Sequence, residues 1–318
     1  MEQAETMSRR SSMILAILLA GGSLRADTQF VIIQPGYPGS TEEGETFVGD
    51  LSLALAKAGG PKDLRGSYYN VAEDGLEAVA ARKPVFAIVS LGFYLAHREG
   101  LRLAPLLESN PLVRFYLAAK KGQGALPADL EGQAIAGTPF HEKEFVERIL
   151  FGAGAGGGPV ADGEAGKMAD PKVTKDPASG SKKAIDLSRW KVEVSQGFSK
   201  GVRDASKGKI RAVLLTERER RAMKETIAGR EMEVSYQSEE LPTALLVSLG
   251  PAGAAAQAAA KAMEALKGNE EGRGVLATMG IDGFTRADAK RIAALEARYG
   301  PSKRDDAPPG AGKDASAK

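Results

Sequence analysis

Short apolar runs alternate with longer segments of helical spacing over most of this chain, and that alternation constrains the fold more than any other feature. Residues 85–90 are almost continuously apolar, as expected for a strand that is covered on both faces. Residues 42–58 place Phe47, Leu51 and Leu55 on one face of a helix. Because such alternation is typical of parallel α/β units, we predict an α/β fold.

The predicted strands form a first set, a second set and a return to the first. They cover 30–34, 65–70, 85–90 and 101–107, then 115–119, 135–137, 191–195, 211–215 and 233–236, and finally 244–249. A chain of 318 residues suits two domains of ordinary size. We expect a discontinuous lobe 1 over 27–113 and 241–300, and a lobe 2 over 114–240.

Two further segments lack the composition of a packed core. Residues 152–183 hold many Gly, Ala, Lys, Asp and Pro and few large apolar side chains, which predicts a mobile insertion in lobe 2. Residues 301–318 have a similar composition and predict a disordered tail.

The N-terminus has the pattern of a secretory signal. Arg9 and Arg10 precede an apolar run at 13–20, which small residues follow at 21–23. The run is shorter than the roughly 20 residues that cross a bilayer. A short helix packed on the domain is the alternative. We expect a cleavable signal at 1–26, a periplasmic protein and no stable insertion into the membrane.

Composition argues against several chemistries. The chain has no cysteine and two histidines, His97 and His141, so disulfides, thiolate nucleophiles and cysteine zinc sites are excluded and a multi-histidine metal site is not expected. A net charge of +2 gives no electrostatic reason to expect nucleic acid as a partner. The glycine run at 152–158 follows a predicted helix rather than a strand, which is the wrong context for a phosphate loop. We expect no catalytic residue, no metal, no cofactor and no enzymatic activity.

Five phrases occur in a fixed order: VFAIVS with FY and HR at 85–98, RFYLAAK with DLEG at 114–132, KGKIRAVLL at 207–215, SEELP at 238–242 and VLATMGIDGF at 275–284. Together they resemble the phosphate/phosphonate/phosphite-binding family of ABC-transporter periplasmic proteins, within the type 2 periplasmic-binding fold. The resemblance implies two α/β lobes joined by two crossover strands, with a small-molecule ligand in the cleft between them. It also implies an ABC permease as partner, and we expect a monomer.

Loops that follow predicted strands are the candidate binding site, because ligands of open α/β sheets bind beyond the carboxyl ends of the strands. In lobe 1 the candidates are Gly36 and Tyr37 after the first strand, and Ser90, Phe93 and Tyr94 after the third. An ordinary turn, a helix cap at Ser90 and core packing of Tyr94 are the alternatives.

In lobe 2 the candidates are Thr138, His141, Ser195, Gln196 and Thr216. Phosphonate-binding members of the resembled family place a run of small hydroxyl residues near the first of these positions. This chain departs from that pattern, because it has a single hydroxyl there and Pro139 removes a backbone donor.

The sequence therefore predicts a periplasmic binding protein that captures a small polar or anionic solute, phosphate- or phosphonate-like or related, for an ABC transporter. The alternative is a sensor or scaffold that has the same fold and no role in transport.

Overall fold

The computed structural model describes residues 28–36, 41–160, 185–195 and 197–301, and within these it contains two six-stranded sheets. We call the part built on the first sheet lobe 1 and the part built on the second lobe 2. The strands of lobe 1 are β1 (Thr28–Ile33), β2 (Leu64–Tyr69), β3 (Phe86–Ser90), β4 (Leu103–Asn110), β11 (Ala244–Leu249) and β12 (Gly283–Arg286). Those of lobe 2 are β5 (Phe115–Lys120), β6 (Ala134–Gly137), β7 (Gly158–Pro159), β8 (Lys191–Val194), β9 (Ala212–Thr216) and β10 (Met232–Gln237).

Both sheets are mixed. In lobe 1 the strand order is β12-β4-β11-β3-β1-β2, with β1 parallel to β2 and β3, and with β11 antiparallel to both β3 and β4. In lobe 2 the order is β7-β10-β5-β9-β6-β8, with β6 parallel to β8 and β9. The central strand β3 is buried along its whole length, as its apolar sequence predicts.

Helices cover the faces of both sheets. They are α1 (Thr41–Lys57), α2 (Ala72–Arg82), α3 (Leu91–His97), α4 (Lys143–Phe145), α5 (Phe198–Ser206), α6 (Glu217–Lys224), α7 (Ala254–Ala265), α8 (Glu270–Thr278) and α9 (Ala289–Tyr299). A 3₁₀ turn at Thr138–Glu142 leads into α4, and a π-helical turn at Val146–Leu150 follows it. No helix within the described ranges is long and apolar enough to cross a membrane.

Two segments connect the lobes. Val113 and Leu241, one on each segment, form an antiparallel bridge with reciprocal backbone hydrogen bonds of 2.9 and 2.8 Å. The buried hydroxyl of Ser238 accepts a hydrogen bond from the backbone of Phe115 at 2.9 Å. We call these two paired connecting segments the hinge.

Helix α9 contacts both lobes at its C-terminal end. Arg98 of lobe 1 donates to the carbonyl of Gly300, and Arg148 of lobe 2 donates to the carbonyl of Tyr299, each at 2.7 Å. The hydroxyl of Tyr299 donates to Glu144 at 3.0 Å. The end of this helix therefore fastens lobe 1 to lobe 2.

Apolar packing is also continuous between the lobes. One cluster of buried side chains contains Val89 and Phe93 of lobe 1 together with Phe115, Phe140 and Phe145 of lobe 2. The rings of Phe115 and Phe145 meet edge to face, with centroids 5.7 Å apart. The lobes consequently share part of their hydrophobic core.

The structure describes residues 152–160, the beginning of the predicted insertion. Gly158–Pro159 pair with β10 opposite Tyr236 and Gln237, and the carbonyl of Gly154 accepts a hydrogen bond from Arg298 at 3.1 Å. These contacts are made by backbone atoms of this stretch, so they do not need apolar side chains. Composition alone does not reveal them. The rest of the predicted insertion, the predicted signal and the predicted tail lie outside the described residues.

Candidate functional site

The loops after the parallel strands of the two sheets meet between the lobes. Gly36 follows β1 in lobe 1 and has a left-handed φ of 75°. A Cβ atom added there would lie 2.4 Å from Cδ2 of His141, which belongs to lobe 2. A glycine is therefore required at position 36 both by its backbone conformation and by the imidazole ring packed against it.

His141 connects this contact to a second loop of lobe 2. Its ring forms a hydrogen bond with the backbone of Ser195, which follows β8. Loss of solvent around the ring lowers the pKa of His141, and the bond to Ser195 opposes that effect. Three of the predicted site residues, Gly36, His141 and Ser195, thus form one chain of contacts across the lobe boundary.

A second cross-lobe contact joins Ser90 to Glu142. The Ser90 hydroxyl caps α3 by accepting a hydrogen bond from the Phe93 N–H at 3.1 Å, and it donates to Oε1 of Glu142 at 2.5 Å. The Glu142 carboxyl also accepts a hydrogen bond from the Phe93 backbone. Burial of the carboxyl raises the pKa of Glu142 to about 7, although the two hydrogen bonds act in the opposite direction.

A third cluster lies within lobe 2. The hydroxyl of Thr138 donates to Oε1 of Glu219 at 2.8 Å, while the N–H and the hydroxyl of Thr216 donate to Oε2 at 2.8 and 3.0 Å. Burial raises the pKa of Glu219 against the lowering effect of these bonds. The hydroxyl groups that the sequence predicted as ligand contacts here already hold a carboxylate.

Glu217, at the start of α6, carries a separate ion pair. Arg220 donates to Oε1 of Glu217 at 2.7 Å, and its guanidinium lies over the ring of Tyr116, 4.6 Å from the centroid. Burial is the main cause that raises the pKa of Tyr116 to about 12, and a hydrogen bond to Glu217 is the second. The charge of Glu217 is therefore balanced by a neighbouring arginine.

Tyr94 does not join these clusters. The side chain is 2% exposed, and its hydroxyl donates to the carboxylate of Glu296 on α9. Phe93 is buried as well, with its ring centroid 4.6 Å from that of His97. The first turn of α3 directs both rings into the core, and core packing is the alternative that the sequence analysis gave for Tyr94.

Tyr37, Gln196 and the hydroxyl of Ser195 complete the set of predicted site residues. Tyr37 and Gln196 lie outside the described residues. The Ser195 hydroxyl is buried and has no hydrogen-bond partner within the described parts of the chain. Ser195 also lines a cavity of about 530 Å³ between β8 and α5. All residues that line this cavity belong to lobe 2, so it is not the space between the lobes.

The sequence analysis missed the two glutamates that organise the site. Glu219 was detectable, because Thr216 and Glu219 stand in the spacing of a capping box, whose reciprocal bonds form. Glu142 had no comparable signal, since its partners lie in the other lobe. Within the described ranges no group of three or more acidic or histidine residues is arranged to hold a metal ion.

The geometry defines the fold. Two mixed sheets, two connecting segments and polar loops that face each other between the lobes constitute the type 2 periplasmic-binding fold. The fold predicted from the sequence is confirmed.

Solved structures share this fold at low sequence identity. XAC2383 from Xanthomonas citri, solved bound to ATP, matches with a TM-score of 0.58 and 11% identity over 86% of this chain and 97% of its own. PhnD1 from Prochlorococcus marinus, solved with methylphosphonate, matches with a TM-score of 0.56 and 8% identity over 86% and 97%. A binding component of an ABC phosphonate transporter from Pseudomonas aeruginosa has a TM-score of 0.55 and 12% identity over 85% and 86%. No family model and no curated protein matches the sequence.

Proposed function

We propose that this chain is an exported solute-binding protein that captures a small polar solute between its two lobes and delivers it to an ABC permease. The observation that carries the proposal is the meeting of polar loops from both lobes, Gly36 with His141 and Ser90 with Glu142. A solute bound to groups of both lobes would link hinge closure to binding. The fold relatives named above, which include phosphonate-binding proteins, support the same role.

The hydrogen-bond donors indicate the chemistry of the solute. Ser90 and the Phe93 N–H in lobe 1, and Thr138 and Thr216 in lobe 2, all donate to carboxylate oxygens. Donors arranged around a carboxylate suit an oxyanion of similar size, so we infer a solute with a carboxylate or phosphonate group. Such a solute competes with Glu142 and Glu219 for these donors.

Thermal-shift measurements on the mature protein test this function. The panel is phosphate, phosphite, methylphosphonate, sulfate, small carboxylates and small amines. A true ligand at a hundredfold excess over its dissociation constant stabilises the protein by about 2.7 kcal/mol. Stabilisation by an oxyanion supports the proposal, and stabilisation by amines alone contradicts the inferred class of solute.

Export is tested separately on protein purified from its native host. Mass spectrometry is expected to find an N-terminus between about residues 23 and 27, since signal cleavage follows small residues. An intact Met1 would contradict export.

A sensor or scaffold is the second candidate function. The shared apolar core, with Phe93 of lobe 1 and Phe140 and Phe145 of lobe 2 in one cluster, favours a pair of lobes that stays closed. The distinguishing measurement is uptake of the identified solute by host cells that lack this gene. Loss of uptake supports transport, whereas normal uptake supports the sensor or scaffold.

A further inference from the structure

The contact between Glu142 and lobe 1 differs from the other carboxylate contacts of the site. Glu219 binds Thr138 and Thr216 inside lobe 2, so hinge opening leaves those bonds intact. Glu142 lies at the end of the 3₁₀ turn of lobe 2, but its partners Ser90 and Phe93 belong to lobe 1. Opening the hinge must therefore break the Glu142 bonds.

Gly92 shows that lobe 1 is shaped to admit this carboxyl. A Cβ atom at position 92 would lie 2.6 Å from Cδ of Glu142 and 2.7 Å from its Oε1. Gly92 lies inside α3 and has no left-handed φ that would require glycine, while glycine in a helix costs about 1 kcal/mol relative to alanine. The close approach of the Glu142 carboxyl is thus the reason for a glycine at this position.

We propose that Glu142 is an internal latch, which holds the two lobes together through Ser90 and the Phe93 N–H and must be released before a solute can enter between them. The latch occupies donors of lobe 1 that an incoming oxyanion would need. It therefore sets the fraction of molecules whose lobes are closed and the solute concentration that binding requires. The latch acts together with the contacts that Arg148 and Glu144 of lobe 2 make with Tyr299, which opening must also break, while the two connecting segments stay paired through Val113 and Leu241.

The chain lends itself to a direct test, because it contains no native cysteine. We place spin labels on Glu73→Cys and Ser199→Cys, two exposed positions in the first turns of α2 in lobe 1 and α5 in lobe 2. Both helices begin at the edges of their sheets that face the other lobe. Pulsed electron paramagnetic resonance then reports the distance between the lobes with no solute present, so the result is independent of the proposed function.

Two variants remove the latch in different ways. Glu142→Ala deletes the carboxyl, whereas Gly92→Ala leaves it in place and expels it sterically. A hydrogen bond to a charged group shifts an equilibrium by about tenfold. We expect each variant to raise the ratio of long to short distances about tenfold, and we expect Glu142→Gln, which keeps an acceptor oxygen, to resemble the wild type.

Glu225→Ala is the matched control, because Glu225 is an exposed glutamate of lobe 2 beyond the end of α6. The latch is refuted if Glu142→Ala and Gly92→Ala both retain the wild-type distance distribution. It is also refuted if Glu225→Ala opens the lobes to the same extent. Circular dichroism of each variant identifies any that fails to fold. If Glu142→Ala or Gly92→Ala fails to fold, the distance distribution of the other variant tests the latch.

Discussion

The Ser90 hydroxyl of lobe 1 donates a 2.5 Å hydrogen bond to Oε1 of Glu142, which follows 52 residues later in lobe 2. This pair joins the two sheets at the edge where their parallel strands end. Because the same hydroxyl also caps α3, the start of that helix and one contact between the lobes depend on one side chain.

The stability of the protein is expected to fall as the pH rises from about 4.5 to about 7. The Glu142 carboxyl has its pKa raised by burial from 4.5 to about 7, so the folded state binds a proton more tightly than the unfolded state in this window. The contribution of Glu142 to the free energy of unfolding is fully present below pH 4.5, the pKa of an unperturbed carboxyl, and is lost as the pH rises through about 7. It amounts to about 3 kcal/mol. Urea unfolding at several pH values measures it.

Glu142→Gln is the control for that profile, because its side chain cannot ionise. Other titratable groups lie close by: His141 and Lys143 adjoin Glu142 in the chain, and Tyr299 of α9 senses its charge. The lowered pKa of His141 produces the opposite slope near its ordinary value of 6.5. The difference between the two profiles isolates Glu142, and parallel profiles would contradict the assignment.

Ser90 and Glu142 are expected to be energetically coupled. Ser90→Ala removes both the helix cap and the donor to Glu142, and the cap alone is worth about 0.5–2 kcal/mol. In a double-mutant cycle with Glu142→Ala, we expect a coupling free energy of about 1–2 kcal/mol from denaturant unfolding. Strict additivity of the two changes would show that the bond contributes nothing.

Thr138 is expected to matter for stability through its hydroxyl. Thr138→Val keeps the shape of the side chain but leaves Oε1 of Glu219 without this donor, at a cost of about 1–3 kcal/mol. Thr138→Ser retains the donor and serves as the comparison. Denaturant midpoints of the two variants should therefore differ, with the valine variant lower, and equal midpoints would argue against the bond to Glu219.

Tyr94 is expected to behave as a core residue rather than as a ligand contact. Tyr94→Ala removes a side chain that is 2% exposed and should cost about 3–5 kcal/mol. Tyr94→Phe loses only the hydrogen bond to Glu296 and should cost about 1 kcal/mol. Thermal unfolding of the pair distinguishes the two roles. A loss below 1 kcal/mol for the alanine variant would place the ring in solvent.

Much of the fold could be predicted because buried central strands have an unmistakable composition. The strands at 85–90 and 244–249 were predicted almost to the residue, as both are almost continuous apolar runs. Helix α8 was missed, since two glycines, Gly272 and Gly274, interrupt its short apolar face. Strand β12 was missed because four residues carry too little periodicity.

The site could be predicted only in part, for a physical reason. Strand ends mark where polar loops must lie, which located Ser90, Thr138 and Ser195. Side-chain direction and long-range partners are not encoded locally. The hydroxyl of Tyr94 bonds to Glu296, 202 residues away, and that bond pairs the hydroxyl of a ring that lies in the core.

The central place of β11 in the first sheet has a consequence for how the molecule is assembled. The strands of lobe 2, β5 to β10, follow one another along the chain. In lobe 1, β11 lies between β3 and β4 in the sheet, so the gap between these two strands is filled only when residues 244–249 are present. A chain synthesised from its N-terminus is therefore expected to complete its second lobe while two strands of the first, β3 and β4, still have unpaired edges. We therefore expect the second lobe to complete its sheet before the first, which leaves the unpaired strands of the first lobe more exposed to aggregation.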